Sequence, residues 1–353
     1  KSKRTQCRSD GGSTPNSTNG SRVAVQSNNV GIVATYSAGY AAAMARQLPA
    51  GVSRITGIGA LIRQAMFVSC YGIGGGLQFN LEDNHIRSVA KGIVLEGHVM
   101  LGSIVLVKRN AVLLSPPAEG TGMSLTMSGT SSSVTCEDNT VDFTDVAVDD
   151  FGGGGANSFS QTSRITGMVF SIGAVTDGGA FQARRNRVTL NAISSSDTSV
   201  GWYFSSPLFG ESSVLNGSFV HFENNVVTAP FAANGEQCSF NVNSGSAATW
   251  NGNVMVSTVS SGGGSAFTLA GVALSNNATF NITNETWAAG TVGVSRITLQ
   301  HFSTLRISNC TGTNLNNFWL GLTATTYDGE PDLFPVWLTN ASFIDLVGNQ
   351  FGF

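Results

Sequence analysis

The chain has 353 residues, enough for one large domain or two average ones, and for a sizeable buried core. Its formal net charge is −3, which argues against a general nucleic-acid binder. Only 11% of residues are charged, but 41% are hydrophobic and spread along the chain, so the low charge does not signal disorder.

Glycine, at 43 residues against 8 prolines, indicates many short strands joined by tight turns. Cys7, Cys70, Cys136, Cys238 and Cys310 are widely spaced, odd in number and never arranged as CxxC. Neither a zinc site nor a redox pair is indicated, and buried free thiols with at most one disulfide are expected. No apolar run reaches the ~18 residues of a membrane span. The chain opens without an initiator methionine or a signal-peptide pattern, so a mature chain or an excerpt is expected.

Residues 1–20 carry almost no apolar side chains and are read as a flexible basic leader. From residue 21 onward one octet recurs. In VAVQSNNV, with Asn28 as position zero, Val23 stands at −5, Val25 at −3 and Val30 at +2. An Ala-rich excursion over about 33–51 follows, with a short helix expected between the N-cap candidate Ser37 and the stop at Pro49 and Gly51. The octet then returns as FNLEDNHI at Asn84, VLVKRNAV at Asn110 and VTCEDNTV at Asn139. A second excursion, rich in glycine, spans about 142–162. Beyond it come FQARRNRV at Asn186, VHFENNVV at Asn225, ATWNGNVM at Asn253 and, finally, IDLVGNQF at Asn349. Two copies keep the apolar frame but change the centre: FNITNETW has Glu285 there and LRISNCTG has Cys310.

Residues at −5 and −3 share one strand face, because side chains alternate along a strand. The polar residues at −2 to 0 form a bend, where Asn tolerates the left-handed conformation, and +2 begins the next inward-facing strand. Where spacing is short the copies lie about 25 to 32 residues apart, the length of one solenoid coil. Each short interval holds a second apolar strand: KGIVLEG, GMSLTMSG, CSFNVNSG and SAFTLAG. SRIT recurs at Ser53, Ser163 and Ser295 as a longer echo. The expected fold is all-β, a right-handed parallel β-helix (solenoid) of roughly ten or more coils, forming a single domain over 21–353. An antiparallel sandwich or a propeller is the competitor. Asn28, Asn84, Asn110, Asn139, Asn186, Asn225, Asn253 and Asn349 would stack as a structural ladder.

The residues before each bend alternate in sign: Glu82-Asp83, Lys108-Arg109, Glu137-Asp138, Arg184-Arg185, Glu223-Asn224. Opposite charges would therefore face one another across adjacent strands, which makes the arginine cluster structural rather than catalytic or anion-binding.

No catalytic motif is present. His85, His98, His221 and His301 are scattered, and there is no GxSxG or phosphate loop; GIGGGL at Gly72 falls short of a dinucleotide fingerprint. No cofactor is expected, although Asp142, Asp145, Asp149 and Asp150 are calcium-ligand candidates. The carboxylate, His and Arg order of pectin-type hydrolases is absent, so a polysaccharide-active hydrolase or lyase, or a glycan-binding helix, is the alternative function. Trp202, Trp250, Trp287, Trp319 and Trp337 all lie in the C-terminal half, with Trp250 and Trp287 at inward positions. Sequons at Asn16, Asn19, Asn216, Asn277, Asn281, Asn284, Asn309 and Asn340 are glycosylation candidates, at about the number this Asn, Ser and Thr content produces by chance.

FNLEDNHI, VTCEDNTV, FQARRNRV and VHFENNVV, with SRIT segments and glycine-rich connectors, resemble the dispersed gene family surface proteins of trypanosomatids, or a related pectin-lyase-like β-helix. The resemblance spans 21–353 as texture, and no functional residue carries over. It implies an extracellular or cell-surface, adhesive and non-catalytic protein that meets a host or matrix protein or glycan, with end-to-end self-association as a further expectation. Membrane contact would come only through parts absent from this chain.

Overall fold

The computed structural model describes residues 3–7, 22–26, 29–31, 66–73, 76–88, 91–100, 102–114, 120–143, 165–189, 200–205, 212–229, 234–257, 265–294, 297–320 and 337–353. All described elements are strands, and they form one sheet of 21 strands and one of 10. Every pairing in both sheets is parallel, which excludes the antiparallel sandwich and the propeller as arrangements of these strands.

The ten-stranded sheet runs in chain order through Arg22–Gln26, Gln78–Glu82, Ile104–Lys108, Ser133–Glu137 and Ala180–Arg184. It continues through Phe219–Glu223, Ala247–Asn251, Thr279–Thr283, Thr304–Ser308 and Phe343–Val347. These are the ten octets. Each strand pairs with the next over all five positions without a slip. The strand at Arg22–Gln26 pairs directly with Gln78–Glu82, so the long interval between them adds no rung to this sheet.

After each corner the chain enters the larger sheet. A short strand comes first, as in His85–Ser88, Ala111–Leu114 and Thr140–Phe143. A long one follows, as in Lys91–Met100, Gly120–Thr130, Asn234–Asn243 and Ser265–Ser275. The long strands contain KGIVLEG, GMSLTMSG, CSFNVNSG and SAFTLAG. Register makes a column of the +2 residues: Ile86, Val112, Val141, Val188, Val227, Met255 and Trp287 are successive partners. All seven are buried.

The core is built by trading volume between neighbouring columns. At −5 and −3 the rungs read Phe181 and Ala183, then Val220 and Phe222, then Ala248 and Trp250, then Phe280 and Ile282, all buried. A small residue in one column sits beside a large one in the other, which fills the stack without overpacking. The rings of Phe222 and Trp250 stack at 4.3 Å, and Phe280 meets Trp250 edge-on at 5.2 Å. On the larger sheet, Gly92, Gly122 and Gly167 occupy equivalent places between matched registers. A Cβ on Gly122 would lie 2.1 Å from Val141 Cγ1 and 2.5 Å from the Gly167 oxygen, so the strands approach too closely there for any side chain.

The leader expectation needs correction at one point. Lys3–Cys7 is a strand paired in parallel with Met66–Ile73, and Cys7 and Cys70 are register partners. Pairing needs backbone donors and acceptors, not apolar side chains, so the polar composition of this stretch did not betray it. The SRIT echo also proves uneven: Ile165 meets Gly120 at the start of a long strand, whereas Ile297 meets Val272 late in one. The expected helix from Ser37 to Gly51 and the glycine-rich excursion beyond Phe143 lie outside the described residues.

Candidate functional site: two corner ladders and a charged column

Each octet from Asn84 onward turns at a single left-handed residue. It is the residue at −1, not the asparagine: φ is 56° at Asp83, 52° at Arg109, 56° at Asp138, 51° at Arg185 and 52° at Asn224. The expectation that the central Asn takes this conformation is therefore corrected. One left-handed residue at −1 throws its own side chain outward and turns the next one, at zero, into the core. Glycine takes the −1 place at Gly252 and Gly348, where an added Cβ would lie 2.5 Å from the Oδ1 of Asn224 or Asn309 in the rung below and that side chain would have to move.

The buried asparagines bond to one another in a continuous column. Asn139 is completely sequestered, and its amide uses every hydrogen-bonding site it has. Its Oδ1 accepts from the Asn110 N–H at 3.0 Å and from Asn110 Nδ2 at 2.9 Å. Its Nδ2 donates back to the Val107 carbonyl at 2.9 Å and onward to Asn186 Oδ1 at 2.8 Å. The pattern runs from Asn84 through Asn110, Asn139, Asn186 and Asn225 to Asn253. Glu285 takes over next, its Oε1 accepting from Asn253 N–H and Nδ2 at 3.0 and 2.8 Å. At Cys310 the thiol donates weakly to the Ile282 carbonyl at 3.7 Å, and its N–H donates to Asn349 Oδ1 at 3.0 Å. Asn28 lies outside the described residues.

The outer rim carries the charges. Glu82, Lys108, Glu137, Arg184 and Glu223 are successive register partners. Lys108 Nζ lies 3.2 Å from Glu137 Oε2, and Arg184 approaches the same oxygen from the other side at 3.4 Å. Arg109 grips Asp83 with two hydrogen bonds of 2.7 and 2.9 Å and reaches Glu82 at 3.4 Å. Arg185 does the same to Asp138 at 2.9 and 3.1 Å and also bonds Glu137. The hydrogen bond from Arg109 holds the Asp83 carboxyl below the usual carboxylate range, and both guanidiniums are driven further toward the charged form. The arginines are thus consumed by neighbouring rungs. Gln26 closes the column at its start by donating to Glu82 at 2.9 Å.

A second ladder stands at the opposite corner, and the octet did not reveal it. Position −7 holds Ser103, Ser132, Gly179, Ser218, Ser246, Ala278, Ser303 and Ser342, and the Ser103, Ser132, Ser218, Ser246 and Ser303 side chains are buried. Serine hydroxyls accept from backbone N–H groups one rung below: Gly179 to Ser218 at 3.1 Å, Ser218 to Ser246 at 3.2 Å, Ser303 to Ser342 at 3.1 Å. Before it lie one or two left-handed residues, such as Asp177 with Gly178 and Asn216 with Gly217. The signal was present as a small residue seven places before every rung centre from Asn110 to Asn349.

This corner also explains the sequons. A left-handed Asn followed two residues later by the column serine spells Asn-x-Ser, as at Asn216 and Asn340; at the first corner, −1 and +1 spell Asn-x-Thr, as at Asn284 and Asn309. Those four and Asn277 are exposed, and Asn281 is half-buried on the face of the ten-stranded sheet. Three of these amides already bond a neighbouring rung: Asn216 Nδ2 donates to Asp177, Asn284 Nδ2 donates to Asn251, and Asn340 meets His301. Asn16 and Asn19 lie outside the described residues.

The remaining candidates do not converge. Asp142 is half-buried on the strand Thr140–Phe143, while Asp145, Asp149 and Asp150 lie outside the described residues. Among the described residues, no three His, Cys, Asp or Glu side chains gather where they could hold a metal. His98 bonds Ser128, His221 lies 3.4 Å from Glu223, and each pairing is local. Cys136 and Cys310 are buried free thiols, and burial pushes both toward the protonated form, Cys310 to about 12. Trp250 and Trp287 fill the core, whereas the side chains of Trp202, Trp319 and Trp337 lie outside the described set. No described helix is long and apolar enough to cross a membrane. Comparison with protein-family models, curated proteins and solved structures finds no match to this chain.

Proposed function

We propose that the chain is a right-handed parallel β-helix of roughly ten or more coils, acting as an extracellular or cell-surface structural or adhesive rod. Right-handedness follows from the strong preference of parallel crossovers for that hand. The observation that carries the role is the fate of the charged groups. The residues best suited to bind or to catalyse, Arg109, Arg184 and Arg185, are turned onto acids of adjacent rungs. What remains outward is the outer face of the ten-stranded sheet, its strands paired in unbroken register, suited to extended contact with a host or matrix protein or glycan. The texture shared with dispersed gene family surface proteins supports the same reading.

The test is incubation of the full chain with polygalacturonate, with glycosaminoglycans and with matrix proteins, scoring retention and product together. Retention without new chain ends is the expected result. Depolymerisation of either polysaccharide would overturn the passive role. Mass-spectrometric mapping of the six described sequons in chain secreted from its native cells checks the compartment, with occupancy expected first at Asn277 and Asn309.

A further inference from the structure

The strand Lys3–Cys7 meets Met66–Ile73 without a slip: Lys3 with Met66, Arg4 with Phe67, Thr5 with Val68, Gln6 with Ser69 and Cys7 with Cys70. KRTQC brings almost no apolar surface to this contact. The strand is joined to the stack by backbone hydrogen bonds, and its composition adds little of the burial that holds the later rungs together. Its last residue, however, is a cysteine set against a cysteine. Register partners in neighbouring parallel strands stand ~4.8 Å apart and belong to the same face of the sheet. A disulfide spans Cα atoms about 4.4–6.8 Å apart. The spacing therefore suits a bridge.

No other two cysteines are placed this way. Cys136 is matched with Val107 and Ala183, Cys238 with Phe204 and Leu269, and Cys310 stands between the Glu285 and Asn349 rungs. Cys136 and Cys310 are buried free thiols. On its other side Cys70 is matched with Gly97, and Gly97 with Met127, so the column offers no third thiol to compete. We propose that Cys7 and Cys70 form a disulfide that fastens Lys3–Cys7 to the stack and leaves Cys136, Cys238 and Cys310 as thiols.

The bond forms by thiol–disulfide exchange, with a small-molecule or protein disulfide as the oxidant. The thiolate of one cysteine attacks the oxidant's S–S bond and releases half of it as a thiolate. The thiolate of the other cysteine then displaces the second half and closes the Sγ–Sγ bond. The protons lost by the two cysteines pass to the two released thiolates, and the electron pair passes to the oxidant, which ends as two thiols. Such bridges persist in oxidising compartments, so its presence in the cell rests on the extracellular reading above, whereas the juxtaposition does not. Joining residues so far apart in sequence also restricts the unfolded chain, which favours the folded one.

The test takes the full chain, reduces it, and oxidises it with glutathione disulfide, either folded or unfolded in urea. Remaining thiols are then blocked with iodoacetamide under denaturing conditions, and tryptic peptides are weighed. Folded chain should yield Thr5–Arg8 joined to Gln64–Arg87, with Cys136 and Cys310 carrying the label. The link should form roughly tenfold faster, or more, in folded chain than in unfolded chain, because the stack holds the pair together. Cys7 and Cys70 both labelled, either one linked elsewhere, or equal rates in the two states would overturn the proposal. Amide exchange at Thr5 and Gln6 should quicken when the bridge is reduced, and C70S should match the reduced chain; exchange unchanged by reduction would refute the fastening. Chain taken from its native cells with thiols blocked at lysis separates the two readings. A free pair there, in chain that links on oxidation in vitro, would overturn the extracellular reading and uphold the pairing.

Discussion

Removing one ladder amide should cost far more than its surface area suggests, and the amount can be worked from the geometry of Asn139. In Asn139→Ala, Asn186 Oδ1 keeps the N–H of residue 139 at 3.1 Å, and Asn110 Nδ2 keeps the Leu81 carbonyl at 2.9 Å. One group loses its side-chain partner outright, the N–H of Asn110 at 3.0 Å, while the Val107 carbonyl loses a 2.9 Å bond but stays in the ladder between its two neighbouring strands. The Asn110 N–H is in the dry interior, and an abandoned buried polar group costs about 1–3 kcal/mol, so the loss should be at least of that order. Asn349 is the control. It is half-buried, and its side chain has one bond of 3.0 Å from the Cys310 N–H and one of 2.9 Å to the Ile307 carbonyl. Water can replace these, so Asn349→Ala should cost under ~1 kcal/mol. Urea unfolding followed by circular dichroism gives the totals. Hydrogen exchange at Asn110 and Asn139 shows whether the damage is local, as a quasi-one-dimensional stack predicts. If Asn139→Ala costs no more than Asn349→Ala, the ladder is a geometric coincidence and the reasoning fails.

Reversing both Arg184 and Arg185 to Glu should lower the thermal midpoint, and adding Glu137→Lys and Asp138→Lys should restore part of it. Strict additivity of the two double changes, or no dependence on salt, would refute a pairing role for these exposed groups. Gly122→Ala should destabilise by about 1–3 kcal/mol through overpacking against Val141, measured by the same urea titration; a neutral result would refute the close approach. Cys136 and Cys310 should resist iodoacetamide at pH 8 in the folded chain and react once it is unfolded, as mass spectrometry would show, because burial keeps both thiols protonated. Labelling of either in the native state would mean that the corner opens.

Period-two alternation and the recurrence of Asn made the ten rungs legible, and the alternating sign before each corner predicted which side chains would meet. These are local signals, repeated until they became a pattern. What stayed hidden depended on direction rather than on residue type. Nothing in EDN or RRN says which of the three residues turns left-handed; the structure assigns it to Asp83 and Arg185, because the following Asn must point inward. The serine column at Ser218 and Ser246 was hidden because serine is common throughout this chain and its regular place lay just outside the octet. Lys3–Cys7 was missed because its pairing is carried by the backbone alone. The change of centre at Glu285 was visible, but that its Oε1 takes the two hydrogen bonds of an asparagine Oδ1 required the structure.

The alternation of sign along the rim gives the molecule a parity. Excising residues 85–110 would delete one rung and set Glu82 and Asp83 directly beneath Glu137 and Asp138, like against like. Excising 85–139 would instead bring Glu82 under Arg184, a favourable match. Over this stretch the stack can therefore grow or shrink most easily by even steps, two rungs at a time.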